Sequence, residues 1–241
     1  MDSAFRIPHS EIRTCCMETS LHRQLKAHYA ADASQQEVAC EGYRIDAVRR
    51  GRLIEIQHGS LAAIRDKVAV LLQRHRVLVV KPIVARKYLI KLDRRGGNVV
   101  HRRRSPKRGQ MLDLFDELVY FTRVFPHPRL ALEVPLVEVE ELRYPGHGRR
   151  RRRRARDFQI QDQRLLRIVQ THRFRTLADL RNVLPRKLPA TFHTRHVAEA
   201  LQVPRWTAQR VCYCLRETGA IHVVGKQGNA LLYRKRRRAA A

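Results

Sequence analysis

Six consecutive arginines, Arg149–Arg154, followed by Ala155 and Arg156, limit the possible folds of this chain more than any other feature. No core can hold such a run, because each unpaired charge taken out of water carries a large desolvation cost. Like charges in a block repel and extend the backbone, and Pro145, Gly146 and Gly148 precede the run. The stretch 145–157 therefore reads as a basic linker between two units. The expected layout is a tail over 1–17, a first domain over 18–144, the linker, a second domain over 158–235, and a basic tail over 236–241.

The charge balance points to a partner. Fifty Lys and Arg against 22 Asp and Glu leave a net charge of +28 on 241 residues. Solubility requires far less, and a surface this cationic attracts polyanions. An anionic membrane is the competing surface. No apolar run approaches the roughly 18–20 residues of a membrane span, and no basic amphipathic helix with a wide apolar face stands out. The N-terminus lacks the pattern of a signal peptide. The expectation is a cytoplasmic, nucleoid-associated protein that binds nucleic acid, in the first instance double-stranded DNA. A homodimer stays open. The five cysteines include an adjacent pair, Cys15 and Cys16, and no C-x-x-C, which argues against a disulfide framework and a zinc finger.

The first half mixes helix and strand. Leu21, Leu25 and His28/Tyr29 recur at helical spacing after Ser20. Tyr43–Val48 and Arg52–Gln57 are strand-like runs joined by Arg49-Arg50-Gly51, a hairpin signal. Ser60–His75 carries apolar residues at 61, 64, 68, 71 and 72, an amphipathic helix capped by Ser60. Val77–Val80 is continuously apolar and suits a buried parallel strand. A second hairpin turns at Gly96-Gly97, Gln110–Phe121 reads as helix, and Leu130–Leu142 as a late strand. This predicts an α/β unit built on one mixed sheet.

The second half reads as mainly helical. Asp162–Arg173 places Leu165, Leu166, Ile168 and Val169 at helical spacing. Thr176–Val183 and Thr194–Leu201 follow, and Pro204 opens Arg205–Thr218, which Gly219 ends. Ile221–Val224 and Ala230–Tyr233 are short strands around a Gly-rich turn. Several helices followed by a hairpin is the plan of a C-terminal winged helix-turn-helix domain.

The chemistry concentrates in Tyr43-Arg-Ile-Asp46 and Leu53-Ile-Glu55-Ile-Gln57. Glu55 and Gln57 lie two apart on one strand and so share a face, and the hairpin brings Asp46 beside it. Two converging carboxylates suit Mg²⁺ (or Mn²⁺), since hard cations take oxygen ligands. This pattern resembles the PD-(D/E)xK nuclease superfamily, whose core is α-β-β-β-α-β. The resemblance implies a restriction-endonuclease-like fold and metal-dependent hydrolysis of DNA, with Asp46 and Glu55 as metal ligands. It makes Glu18 the extra acidic residue of resolvase-like members. Gln57 stands where the superfamily has Lys; in some members that Lys has moved to the next helix, which makes Lys67 its counterpart here. Over a longer span, Glu18–Lys26, Ile54–Gln57, Ser105–Gly109 and Gly225–Tyr233 are similar to an uncharacterised bacterial family, which adds nothing about substrate.

The second half supplies the contacts to DNA. Arg205, Trp206, Gln209 and Arg210 occupy the first turns of the recognition helix, where helix-turn-helix modules meet base edges. Lys226, Gln227 and Asn229 fall at the wing tip, and Arg151 and Arg152 in the arginine run offer phosphate contacts. Two functions follow. One is a Mg²⁺-dependent deoxyribonuclease using Asp46, Glu55, Gln57 and Lys67. The other is a catalytically inactive DNA-binding regulator or structural protein that keeps a relic nuclease fold, which Gln57 favours.

Overall fold

The structure, a computed structural model, describes residues 18–30, 32–146 and 157–236. Its centre is an eight-stranded mixed sheet. Helix α1 (Ser20–Tyr29) begins at Thr19, whose side chain accepts the N–H of His22. It leads into three antiparallel strands, β1 (Gln36–Cys40), β2 (Tyr43–Arg49) and β3 (Arg52–Ile56). The β2–β3 turn has Arg50 and Gly51 both at positive φ, 50° and 69°. That is the twist two-residue hairpin turns favour. After a 3-10 turn capped by Ser60, α2 (Arg65–Leu71) returns the chain to β4 (Arg76–Val80), which pairs parallel to β3. The crossover and the burial of Val77–Val80 match the sequence expectation.

Strand β7 (Leu130–Pro145) organises the rest. Val77 pairs with Leu130 and Ile83 with Leu136, an unchanged offset across Lys81-Pro82. Strand β4 and strand β5 (Ile83–Leu92) therefore run as one line along one edge of β7, and β6 (Val99–Arg104) pairs with β5. The Gln110–Phe121 helix is shorter than its pattern: a 3-10 turn over Met111–Asp113 and then α3 (Leu114–Leu118).

The other edge of β7 carries the main correction. Residues Phe158–Phe174, expected to open the C-terminal unit with a helix over Asp162–Arg173, form strand β8, paired antiparallel with β7 from Pro145↔Phe158 to Leu132↔Phe174. The arginine run thus lies between two paired strands of one sheet; residues 147–156 themselves fall outside the described residues. Alternating charges support the pairing. Arg167 meets Glu138 through two hydrogen bonds of 2.9 and 3.0 Å, and Arg173 meets Glu133 at 3.1 Å. Helix α1 lies against β8, with Ser20 Oγ donating to Asp162 at 2.6 Å and Gln24 accepting the N–H of Leu165 at 2.8 Å.

Helices α4 (Leu177–Arg181), α5 (Thr194–Leu201) and α6 (Arg205–Glu217) follow, then the hairpin β9 (Ile221–Gln227) and β10 (Ala230–Lys235). Thr176 and Asp179 form a reciprocal cap on α4. Gly219, at φ 79°, ends the last helix as expected. These elements do not keep a separate core. Phe115, Leu118 and Phe121 belong to one buried cluster with Phe174, Leu180, Val211 and Leu215, and Cys214 Sγ approaches the carbonyl of Phe115 at 3.7 Å. Cys212 and Cys214 of α6 are both fully buried. Among the described residues no helix is long and apolar enough to cross a membrane.

Candidate active site and nucleic-acid interface

The β2–β3 ladder joins Ala47–Arg49 to Arg52–Ile54 and stops there. In a regular strand Ile45 and Ala47 would share a face. Instead Ile45 packs with Leu53 in the core on the α2 side, and Ala47 packs with Ile54 and Ile56 beneath α1. The strand changes face at Asp46, and the Asp46 side chain fills the gap. Its Oδ2 accepts the N–H of Ile56 at 2.7 Å, which a continued ladder would have bonded to backbone. Its Oδ1 lies 3.2 Å from His22 Nε2 on α1. Burial works to raise the Asp46 pKa, and the His22 and Ile56 hydrogen bonds outweigh it, holding the carboxyl below its ordinary value.

Glu55 is 4% exposed. Lys67, on the first turn of α2, places Nζ 2.7 Å from Glu55 Oε1 and also donates to the carbonyl of Arg44 at 2.6 Å. The ammonium, with three N–H groups, is thus the charged partner of a buried carboxylate. Burial pushes the Glu55 pKa up, Lys67 pulls it down, and the neighbouring Asp46 charge raises it again; the net direction is upward. The two carboxylates are thus electrostatically coupled, one held ionised and the other pushed toward its protonated form.

The remaining predicted residues fall as follows. Gln57 lies just past β3, and its amide donates to the carbonyl of Ser60 at 3.0 Å, fixing the turn into α2. Glu18 does not reach Asp46 directly. It contacts Lys26 Nζ at 2.5 Å and His22 Nε2 at 3.6 Å, so His22 bridges Glu18 and Asp46. Among the described residues no group of three or more His, Cys, Asp or Glu forms a preformed metal cage.

Four neighbours carry no assigned role in the sequence reading: His22, Lys26, His58 and Lys81. His22 follows Glu18 by four residues on α1, a spacing that puts both on one helix face. His58 packs its ring 5.4 Å from that of His22. Its Nε2 is buried without a hydrogen-bond partner. Burial, with His22 and Lys81 nearby, lowers its pKa to about 4. Lys81 donates to the carbonyls of His58 and Gly59, closing the floor beneath the site.

The C-terminal candidates form a second locus. Arg205, Trp206, Gln209 and Arg210 line a groove of about 660 Å³ along α6, with Asn229 at its edge. Tyr213 and Arg216, not singled out from the sequence, line it too. Trp206 is 52% exposed, so it is not a core residue. Arg210 stacks over the Trp206 ring at 4.9 Å and pairs with Asp116 of α3 at 2.6 Å. Lys226 and Gln227 are exposed at the end of β9, outside the groove. Arg151 and Arg152 lie outside the described residues.

Residues 19–175 match the family described as "Domain of unknown function (DUF8091)", a span that begins at the α1 cap and ends just after β8. A protein of Treponema pallidum (strain Nichols) described as "Uncharacterized protein" is 31% identical over 224 residues, 91% of this chain and 86% of the relative. No solved structure matches the chain. The match covers more than half of the sequence, and the chain is a member of the DUF8091 family.

Proposed function

We propose that the protein is a metal-dependent phosphodiesterase acting on DNA, with a restriction-endonuclease-like core and a winged-helix-like C-terminal part. The observation that carries this reading is the Asp46–Glu55–Lys67 arrangement. Two carboxylates flank the point where the β2–β3 ladder ends, the Asp46 charge raises the pKa of the buried Glu55, and a helix lysine stands 2.7 Å from Glu55 Oε1. The donor set fits a hard cation. Mg²⁺ characteristically takes one or two carboxylates and completes its shell with water and substrate phosphate, so the absence of a three-ligand cage among the described residues does not conflict with it.

Asp46 and Glu55 would hold the ion. When bound, it would lower the pKa of a water and offset charge on the scissile phosphate. Lys67, whose ammonium lies 2.7 Å from Glu55 Oε1, would supply the positive charge that offsets developing charge on the phosphate. His22, between Glu18 and Asp46, keeps the Asp46 carboxylate oriented and can hold a proton at Nε2. Arg205 and Gln209 line the α6 groove, and their side-chain types, which pair bidentately with base edges, support a role in reading DNA.

One observation favours a catalytically inactive DNA-binding protein with a relic site. The Gln57 amide is engaged with Ser60, and the two carboxylates already have His22 and Lys67 as partners. Incubation with supercoiled, branched and single-stranded DNA in Mg²⁺ and Mn²⁺ decides between them. Cleavage lost in Asp46→Asn supports the enzyme. No cleavage of any substrate, with DNA binding intact, supports the relic.

A further inference from the structure

At the opposite end of β3 from Glu55, about 10 Å along the strand, the sheet collects arginines that no acid neutralises. Arg49 pairs directly with Arg52 across the β2–β3 hairpin, and Arg52 pairs directly with Arg76 on β4. Three like charges therefore stand in register on three adjacent strands, an arrangement that is destabilising by itself. Arg52 and Arg76 share the α1-side face with Ile54 and Leu78, two residues further on. Arg50 adds a fourth guanidinium from the turn, at φ 50°, where Asn or Gly would sit at lower cost. Among the described residues, none of these four arginines has an acidic partner within ion-pair distance.

These side chains surround a cavity of about 470 Å³ under the C-terminal end of α1, closed on the far side by the Arg173–Glu133 pair. Five arginines face one glutamate there, and Glu133 is already engaged by Arg173. We infer that this pocket binds a phosphoryl group, carried either by a nucleotide or by the terminal phosphate of a nucleic-acid strand. Guanidinium forks pair bidentately with oxyanions, and a phosphoryl group brings up to two charges and three oxygens to bridge several of them. A carboxylate brings one charge and leaves most of the repulsion in place. The volume lies within the range of small-ligand sites and exceeds what one backbone phosphate fills. The inference does not depend on cleavage at Asp46 and Glu55.

Thermal unfolding of the full chain with pyrophosphate, against chloride at equal ionic strength, is the first measurement. Pyrophosphate raises the wild-type Tm, because a ligand that binds only the folded state stabilises it. Arg52→Gln/Arg76→Gln loses that shift, and its Tm in chloride is equal to or above wild type because the repulsion is gone. Arg103→Gln/Arg104→Gln, the same charge change on exposed β6, keeps the shift. Arg50→Gly suits the turn and so cannot fail through misfolding there; it weakens pyrophosphate affinity several-fold while leaving Tm in chloride unchanged or higher. The source is then set by comparing a nucleoside diphosphate with 5′-phosphorylated and 5′-hydroxyl oligonucleotides. Tenfold preference for the nucleotide, or for the phosphorylated end, removed in each case by Arg52→Gln/Arg76→Gln, identifies it. An equal pyrophosphate shift in wild type and Arg52→Gln/Arg76→Gln, or no shift in wild type, overturns the site whatever the nuclease assays show.

Discussion

Lys67 stands 2.7 Å from Glu55 Oε1 and at the same time donates a hydrogen bond to the carbonyl of Arg44 at 2.6 Å. One ammonium group thereby ties the first turn of α2 to both strands of the hairpin. It gives the buried Glu55 its charged partner and satisfies a backbone carbonyl with the same group.

That relationship sets the first expectation. Lys67→Met removes the positive charge beside a carboxylate that is 4% exposed. Glu55 then takes up a proton more readily, since only Lys67 among its ionic neighbours holds it down. Single-turnover cleavage should fall by about 100-fold or more, the loss typical of removing one charge-stabilising donor. Lys67→Arg should retain part of the rate. Wild-type cleavage by Lys67→Met would remove the lysine from the reaction.

Asp46→Asn and Glu55→Gln test the carboxylates with little disturbance of the fold. Asn at position 46 keeps a carbonyl oxygen for the N–H of Ile56. Both variants should lose metal-dependent cleavage and bind duplex DNA within about twofold of wild type, because affinity comes from cations elsewhere. Gln57→Lys should preserve or raise activity if position 57 corresponds to the superfamily lysine. A Gln57→Lys protein that unfolds would show instead that the bond to Ser60 is structural.

Much of the sheet was legible in the sequence because its patterns are local. The Arg49-Arg50-Gly51 turn, the apolar run Val77–Val80 and the Ser60 cap each declare themselves within a few residues. Strand β8 did not, and the reason lies in its pairing. Gln170 pairs with Leu136 and Ile168 with Val137, leaving Val169 extra; Arg167 pairs with Glu138 and Leu165 with Val139, leaving Leu166 extra. Two bulges three residues apart turn a period of two into Leu165, Leu166, Ile168 and Val169, which is the spacing of a helix. The extra residues point outward, Leu166 at 44% and Val169 at 52% exposed. At the candidate site, Asp46 and Glu55 follow from strand position, and Lys67 only from the superfamily resemblance. His22 and His58 were given no role, because their proximity depends on how α1 crosses the sheet.

His58 gives a pH expectation. Its folded pKa, about 4, lies below the ordinary histidine value, first through burial and then through His22 and Lys81, against a smaller opposing pull from Asp46. The unfolded chain therefore binds more protons than the folded one between about pH 6.5 and about pH 4. Stability attributable to His58 is complete above that window and is lost as pH falls through it, by on the order of 3 kcal/mol. His58→Gln should flatten the loss in urea unfolding midpoints measured from pH 7 to pH 4. An unchanged slope would assign the acid sensitivity to other groups.

The final prediction separates two kinds of interaction with DNA, and the fold dictates how it must be tested. A fragment of residues 158–238, which its sequence pattern suggests would fold alone, carries β8 without β7 and α6 without α3. Pairs such as Arg167–Glu138 and Arg210–Asp116 and the packing of Cys214 on Phe115 are cut. That fragment should be much less stable than the same residues in the full chain, so binding is measured on the full chain. Arg205→Ala and Gln209→Ala act in the α6 groove and should weaken preferred sequences selectively, by about 1–3 kcal/mol for each bidentate pairing with a base edge that is removed. Arg151→Gln/Arg152→Gln should weaken all duplexes about equally. Each phosphate neutralised adds about −0.9 to the log–log salt slope, so this double variant should make the slope shallower by up to roughly 1.8. Phosphate contacts position the protein without reading sequence, whereas base contacts specify it. Binding isotherms on random and selected duplexes across a salt series distinguish the two sets. Equal losses on all sequences for the groove variants would make α6 a phosphate-binding or protein-binding helix rather than a reading one.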